Sequence, residues 1–354
     1  MQTRACVLYA KGDVRVEMRE VGELGPTQAL VRVRSGGICG SDIHYFWDGG
    51  IGSIRVNDPI ILGHEASGTI QALGGDARGL EIGQKVAICP SRPCGRCTYC
   101  QLGQQQHCLE MQFLGSAMRR PHCDGAFRDL IVVEDFQCEP VGDVDLEEAA
   151  CAEPLSVGLH ALSNAGSLLG KRVVVTGVGP IGALLVGAAK LAGAREILAV
   201  DLADAPLNAA AKMGATSTLN AARERDRLGA EYSVDKGYFD IGFECSGSSV
   251  ALGNLFPVVK PRGTIVAVGV SSGEHIPLNA LVGKEINLRG THRFHVEFPI
   301  AAQMISNRRV DVRPIISASV PMERIRDAFD IVRDRSSQMK VLLDFSNGQS
   351  RSST

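Results

Sequence analysis

Four cysteines, Cys94, Cys97, Cys100 and Cys108, fall within one short stretch of the chain. The C-x2-C-x2-C-x7-C spacing lets four thiolates close a tetrahedral shell around one zinc ion, and a closed shell leaves no position for a substrate. A centre of this kind is structural, and in model peptides such sites contribute roughly 10–16 kcal/mol to folding. Gly95 and Gly103 permit the tight loops between the ligands. The alternative, four free thiols gathered by chance, is disfavoured by the spacing. A second chemical signal is Gly177-Val178-Gly179-Pro180-Ile181-Gly182, a G-x-G-x-x-G run after a short apolar strand and before a helical pattern. In that context it reads as a dinucleotide site: Gly177 for the turn, Gly179 for close approach of the pyrophosphate, Gly182 for packing of helix on strand. Asp201 ends the next strand, where its carboxylate can accept the adenosine ribose hydroxyls and repel a 2′-phosphate. Leu202 to Pro206 add a further acid and neither Arg nor Lys, so NAD rather than NADP is the expected cofactor. Val268, Gly269 and Val270, at the end of a later strand, are further expected cofactor contacts.

Strands and helices must place these groups. Up to about Leu146 the chain reads as short β segments cut by Gly and Pro, such as 29–34 and 85–88, with no strong helical period. The texture then changes. Arg172-Val173-Val174-Val175 leads into the glycine turn, followed by Ile181, Leu184, Leu185, Ala188 and Leu191 at helical spacing. Strands at 197–200, 239–243 and 263–268 continue an alternation that implies a parallel, doubly wound sheet. After about Gly290 come helices near 300–305 and 322–332 and a last strand at 341–345. This terminal part is expected to return to the first domain, giving a discontinuous unit of residues 1–155 and 291–354 around a nucleotide-binding unit of 156–290. Residues 346–354 are small and polar and are expected to form a flexible tail.

Composition bounds the rest. At 354 residues the chain exceeds the size at which one hydrophobic core keeps growing. A net charge of −2 without a basic stretch gives no footprint for nucleic acid. No apolar run approaches bilayer-spanning length, and the first residues lack a signal-peptide pattern, so a cytoplasmic protein without membrane contact is expected. Eleven cysteines are many for a reducing compartment. Outside the cluster, Cys6, Cys89, Cys123, Cys138, Cys151 and Cys245 read as small buried hydrophobes.

A dispersed set remains: Cys39 in Gly37-Ile38-Cys39-Gly40-Ser41-Asp42, the Gly63-His64-Glu65 triplet, and Glu153 in Ala152-Glu153-Pro154. Spacing alone does not unite these residues. Together with the two signals above, and in this order, they resemble the zinc-containing medium-chain dehydrogenase/reductase family over nearly the whole chain. The resemblance implies an α/β protein in which a Rossmann domain joins a mainly β, GroES-like catalytic domain. It implies two Zn2+ per chain, with Cys39 and His64 as ligands of a catalytic zinc and Glu65 and Glu153 completing its shell directly or through water. Ser41 and His44 match the family's proton-relay positions, and Asp42 is a plausible partner that orients His64. A surface role for His44 is the bland alternative.

Glu153-Pro154 is similar to the sorbitol dehydrogenase branch, where many alcohol dehydrogenases carry a Cys. Residues 36–45, 113–118, 236–240 and 283–290 further resemble a member of that branch that oxidises a sugar acid. The implied reaction moves a hydride from one secondary hydroxyl of a polyol or sugar acid to NAD. For the acid group, Arg293 matches an arginine that contacts substrate in this branch and is also an expected cofactor contact; Arg119 with Arg120 would form a carboxylate fork. Tyr45 and Trp47 either wall the pocket or belong to the core. Pro206 departs from the branch, which often has Arg there. Relatives are dimers or tetramers, so a homo-oligomer is expected. The competing readings are a sorbitol or xylitol dehydrogenase, a dinucleotide-binding sensor or structural protein, and a zinc-free quinone reductase.

Overall fold

The structure, a computed structural model, describes residues 1–270 and 276–346. Of the expected tail, residues 347–354 lie outside the described residues. Two sheets dominate, and each follows from its own sequence pattern.

The second half of the chain builds a six-stranded parallel sheet in the spatial order Ser217–Asn220, Glu196–Asp201, Arg172–Thr176, Phe239–Glu244, Val259–Ala267 and Asn287–Gly290. Numbered along the chain this order is 3-2-1-4-5-6, the doubly wound arrangement. Val173, Val174 and Val175 are fully buried because helices cover both faces of the sheet. The helix Pro180–Leu191 starts at Gly179 with Pro at its first position, where a missing N–H costs nothing. Its Leu184, Leu185 and Ala188 pack into the core beside Val173 and Val175. Strand order reverses between Arg172–Thr176 and Phe239–Glu244, and the crevice at their carboxyl ends is where this architecture takes a ligand.

The first half forms an antiparallel sheet around Gln28–Gly37, which pairs with Glu65–Leu73, Leu130–Glu134 and Lys340–Asp344. Lys340–Asp344 pairs in turn with Ile316–Pro321. Helices are found at Glu297–Ser306 and Ile325–Ile331, the latter after a short 3-10 turn at Met322–Arg324.

One expectation fails. A helix, Gly40–Asp48, lies well before Leu146, and it carries Ser41 and His44. It is only nine residues long, too short to display a repeat, and local bonds define it. The Asp42 carboxylate accepts the Cys39 N–H at 3.0 Å, and Gly49 closes the helix in the left-handed conformation. Among the described residues no helix is long and apolar enough to cross a membrane.

Candidate active site and metal centres

Cys94, Cys97, Cys100 and Cys108 bring their sulfur atoms within 4.8 Å of one another. The loop prepares them unevenly. Backbone N–H groups of Cys100 and Leu109 pull the Cys97 thiol down to about 6, and the Arg96 N–H lowers Cys94. Burial, followed by the neighbouring Cys97 and Cys108, pushes Cys100 up to about 12. Four thiolates side by side repel each other unless a cation sits among them, so the donor set fits a structural zinc. Cys6, Cys138 and Cys151 are buried and Cys89, Cys123 and Cys245 partly so, and burial raises each of these six thiols, which makes them inert packing residues.

The second group is assembled across strands. Gly37 and Glu65 are register partners in adjacent strands, so the residues just beyond them, Cys39 and His64, face each other. Ligand atoms of Cys39, His64 and Glu65 all lie within 4.8 Å. Both glycines in this corner are sterically required. A Cβ on Gly37 would meet the Glu65 carboxylate at 2.1 Å, and one on Gly63, at φ +93°, would meet the Phe127 ring at 2.1 Å. The buried Asp42 stands 3.9 Å from His64 Nδ1, beyond hydrogen-bond range. Its bonds go instead to the N–H groups of Cys39 and Gly63, so it ties the backbones of both candidate ligands together. Burial opposes charge on His64, yet Asp42, Cys39 and Glu153 raise its basicity well above the ordinary value. A thiol, an imidazole and a carboxylate in one buried, negatively biased corner fit zinc with a position left open.

Glu65 has a partner that the sequence reading missed. The buried Lys340 donates to both Glu65 carboxylate oxygens, at 2.7 and 2.6 Å, and to the Ile38 carbonyl at 3.2 Å. A lone Lys opening an otherwise apolar terminal strand was the available signal. Among the described residues Glu153 stands outside the group at ligand distance. It is buried at the start of the helix Ala152–Ala165, and burial pushes its carboxyl up to about 7 against the pull of His64.

His44 is exposed, and its Nδ1 lies 2.7 Å from Asp48 Oδ2. It borders a cleft of about 490 Å3 with Lys11, Trp47, Asp48, Arg333 and Arg335. Ser41, one helical turn earlier, is half-buried. Tyr45 is buried and its hydroxyl accepts the Ala117 N–H at 3.2 Å, whereas Trp47 stacks under Arg333 in the cleft. The guanidinium of Arg293 lies 4.0 Å over the Phe113 ring and reaches the Met118 sulfur at 2.9 Å. Phe113 in turn packs against His64, so Arg293 is beside the centre. Arg119 and Arg120 are exposed; Arg120 is 3.7 Å from Asp58, and the two do not share a partner in the structure.

At the dinucleotide turn, a Cβ on Gly182 would lie 2.1 Å from the Gly177 carbonyl oxygen. Apart from its own chain neighbours, nothing lies within 4 Å of a Cβ position on Gly179, at the head of the helix, so this face has room for phosphate against positive N–H ends. Asp201 Oδ2 accepts the Val178 N–H at 2.8 Å, and Oδ1 accepts those of Leu202 and Ala203. Val268 and Gly269 donate to the Glu244 carbonyl, and Val270 beyond them is exposed. The turn thus fits a dinucleotide.

Comparison with known proteins agrees with this geometry. Residues 25–143 match the alcohol dehydrogenase GroES-like domain, and residues 180–307 match the zinc-binding dehydrogenase domain. The chain is 39% identical to L-idonate 5-dehydrogenase (NAD(P)(+)) of Escherichia coli (strain K12), over 98% of this chain and 99% of that protein. It is 34% identical to a sorbitol dehydrogenase of Bacillus subtilis (strain 168), with 92% of each covered. The crystal structure of the Escherichia coli L-idonate 5-dehydrogenase superposes with a TM-score of 0.92 at 38% identity, covering 97% of this chain and 98% of that one. The chain therefore belongs to the zinc-containing medium-chain dehydrogenase/reductase family, as a zinc-type polyol or sugar-acid dehydrogenase of its sorbitol dehydrogenase-like branch.

Proposed function

We propose that the chain oxidises one secondary hydroxyl of a sugar acid with NAD, with L-idonate as substrate and 5-keto-D-gluconate as product, reversibly. The convergence of Cys39, His64 and Glu65 beside the half-buried cation of Arg293 carries this reading. Cys39 and His64 would hold the catalytic zinc, with Glu65 and Glu153 behind them. When bound, zinc would supply Lewis acidity at the substrate hydroxyl and NAD would supply a hydride acceptor. Ser41 receives the hydroxyl proton, and His44 passes it to solvent at its exposed edge, held in orientation by Asp48. Arg293, with Arg119 at the rim, binds the carboxylate. The Gly177–Gly182 turn and Asp201 hold the adenosine half of the cofactor, with Val268, Gly269 and Val270 towards the nicotinamide.

The likeness to L-idonate 5-dehydrogenase supports the acid substrate. One observation favours a neutral polyol instead: Arg293 is already engaged by Phe113 and Met118. Rates on L-idonate, sorbitol and xylitol with each cofactor separate the two. L-idonate is expected to turn over fastest, and faster sorbitol turnover removes the acid assignment. The same assay, with kcat/KM for NAD expected above that for NADP, tests the cofactor preference. Family membership sets aside the sensor and zinc-free quinone reductase readings.

A further inference from the structure

The adenosine end of the dinucleotide crevice holds a cation that the residues following Asp201 in sequence do not reveal. Asp201 pairs in register with Asn220 on the neighbouring strand, and the Ala221 N–H bonds the Asp201 carbonyl at 2.8 Å. The turn after Asn220 is therefore fixed beside the ribose-binding carboxylate. The Asn220 side chain organises that turn from both ends. Its oxygen accepts the N–H groups of Ala222 and Arg223, at 3.1 and 3.3 Å, and its nitrogen donates to Asp204 at 2.9 Å. Arg223 closes the arrangement with two parallel bonds to the Asp204 carboxylate, at 2.8 and 2.5 Å. Asp204 opens the helix Asp204–Met213, three residues beyond Asp201.

We infer that Arg223 sets the discrimination between NAD and NADP, with Asp204 holding it in reserve and a 2′-phosphate drawing it away. This rests on the reading that Asp201 and the Gly177–Gly182 turn bind the adenosine half of the cofactor. Three of the roughly four acceptor positions on Asp201 are filled by backbone N–H groups, which leaves about one for a ribose hydroxyl. An added phosphate meets two carboxylates and one guanidinium. The Arg223–Asp204 pair is 64% and 54% exposed, and exposed pairs open at little cost. A phosphate with nearly two charges and three acceptor oxygens competes well with one carboxylate for a planar guanidinium fork. The expected behaviour is preference for NAD with measurable use of NADP, rather than exclusion.

Titrating NADH and NADPH into the purified zinc-loaded protein by nicotinamide fluorescence tests this without depending on turnover. Asp204→Asn releases Arg223 and is expected to tighten NADPH about three- to tenfold, with NADH changed less than about twofold. Arg223→Ala is expected to weaken NADPH about tenfold with the same small effect on NADH, and Arg223→Lys to fall between. Melting curves verify that each variant is folded. If NADH binds normally to both variants and the NADPH to NADH affinity ratio stays at its original value, the role of Arg223 is overturned. If Asp201→Asn leaves NADH affinity untouched, the underlying placement of the ribose is wrong, and the inference falls with it for that separate reason.

Discussion

The four-cysteine loop and the Cys39 corner are built from similar donors by opposite means. The loop draws all its sulfur atoms from one short stretch, and local N–H groups tune Cys97 and Cys94. It needs no distant residue, and its shell is complete. The corner takes one residue from the head of a helix, one from a turn and one from the start of a strand, then neutralises Glu65 with Lys340, 275 positions away. Its shell is incomplete, and acidic neighbours gathered by the fold, not loop geometry, raise the basicity of His64 against burial. A centre that must only hold the fold can be local and closed. One that must admit a substrate leaves a face open, and the rest of the protein has to hold it in shape.

Substitutions should separate the two. Cys100→Ala opens the closed shell and should have the largest effect. On the order of 10 kcal/mol of metal-linked stability is at stake, read as an early melting transition and one zinc per chain instead of two. His64→Ala should instead cost several kcal/mol of transition-state stabilisation, about 10^3- to 10^4-fold in kcat, with melting changed little. A large drop in melting temperature for His64→Ala would erase the distinction between the centres.

Lys340→Met strands the buried Glu65 carboxylate without its counter-charge, which should destabilise by about 3–5 kcal/mol and lower melting by roughly 5 °C. That loss should be absent from any single substitution of an exposed ion pair, such as Arg313 with Asp311. His44→Gln is a smaller lesion of the corner: kcat is expected to fall about 10²-fold at neutral pH and to recover at alkaline pH, where solvent base replaces the relay. A pH-independent loss would place His44 outside the relay.

The smallest effect concerns neither centre and serves as the baseline. Burial pushes the Glu297 carboxyl up, but bonds from His160 and the His295 N–H outweigh it and hold the group at about 2. Its folded value lies below its unfolded one, so its contribution is present above the ordinary value of 4.5 and is lost as pH falls towards 2. Glu297→Gln should lower melting by a few degrees near neutral pH, and the difference from the parent should shrink steadily under acid.

Much of this was legible in advance where the chemistry is local. The alternation of buried strands with helical spacing from Arg172 onward implied the parallel sheet, because each βα unit repeats the same short-range pattern. The helix Gly40–Asp48 was not legible, since nine residues beginning at Gly and containing Tyr, Phe and Trp show no period, and its definition rests on the Asp42 bond to Cys39. Arg223 escaped for a different reason: the turn that carries it is brought next to Asp201 by the pairing of Asn220 with Asp201, and its contact is with Asp204.

By itself the sequence determined the four-sulfur loop and the glycine turn, since donors a few residues apart cannot avoid one another once the chain turns. It did not determine that Gly37 faces Glu65, that Lys340 neutralises that carboxylate, or that Asn220 pairs with Asp201 and carries Arg223 to Asp204. Those relations come from pairing between strands far apart along the chain, and no short-range periodicity encodes them. Only the packed sheet, in its register, brings such side chains within reach of each other.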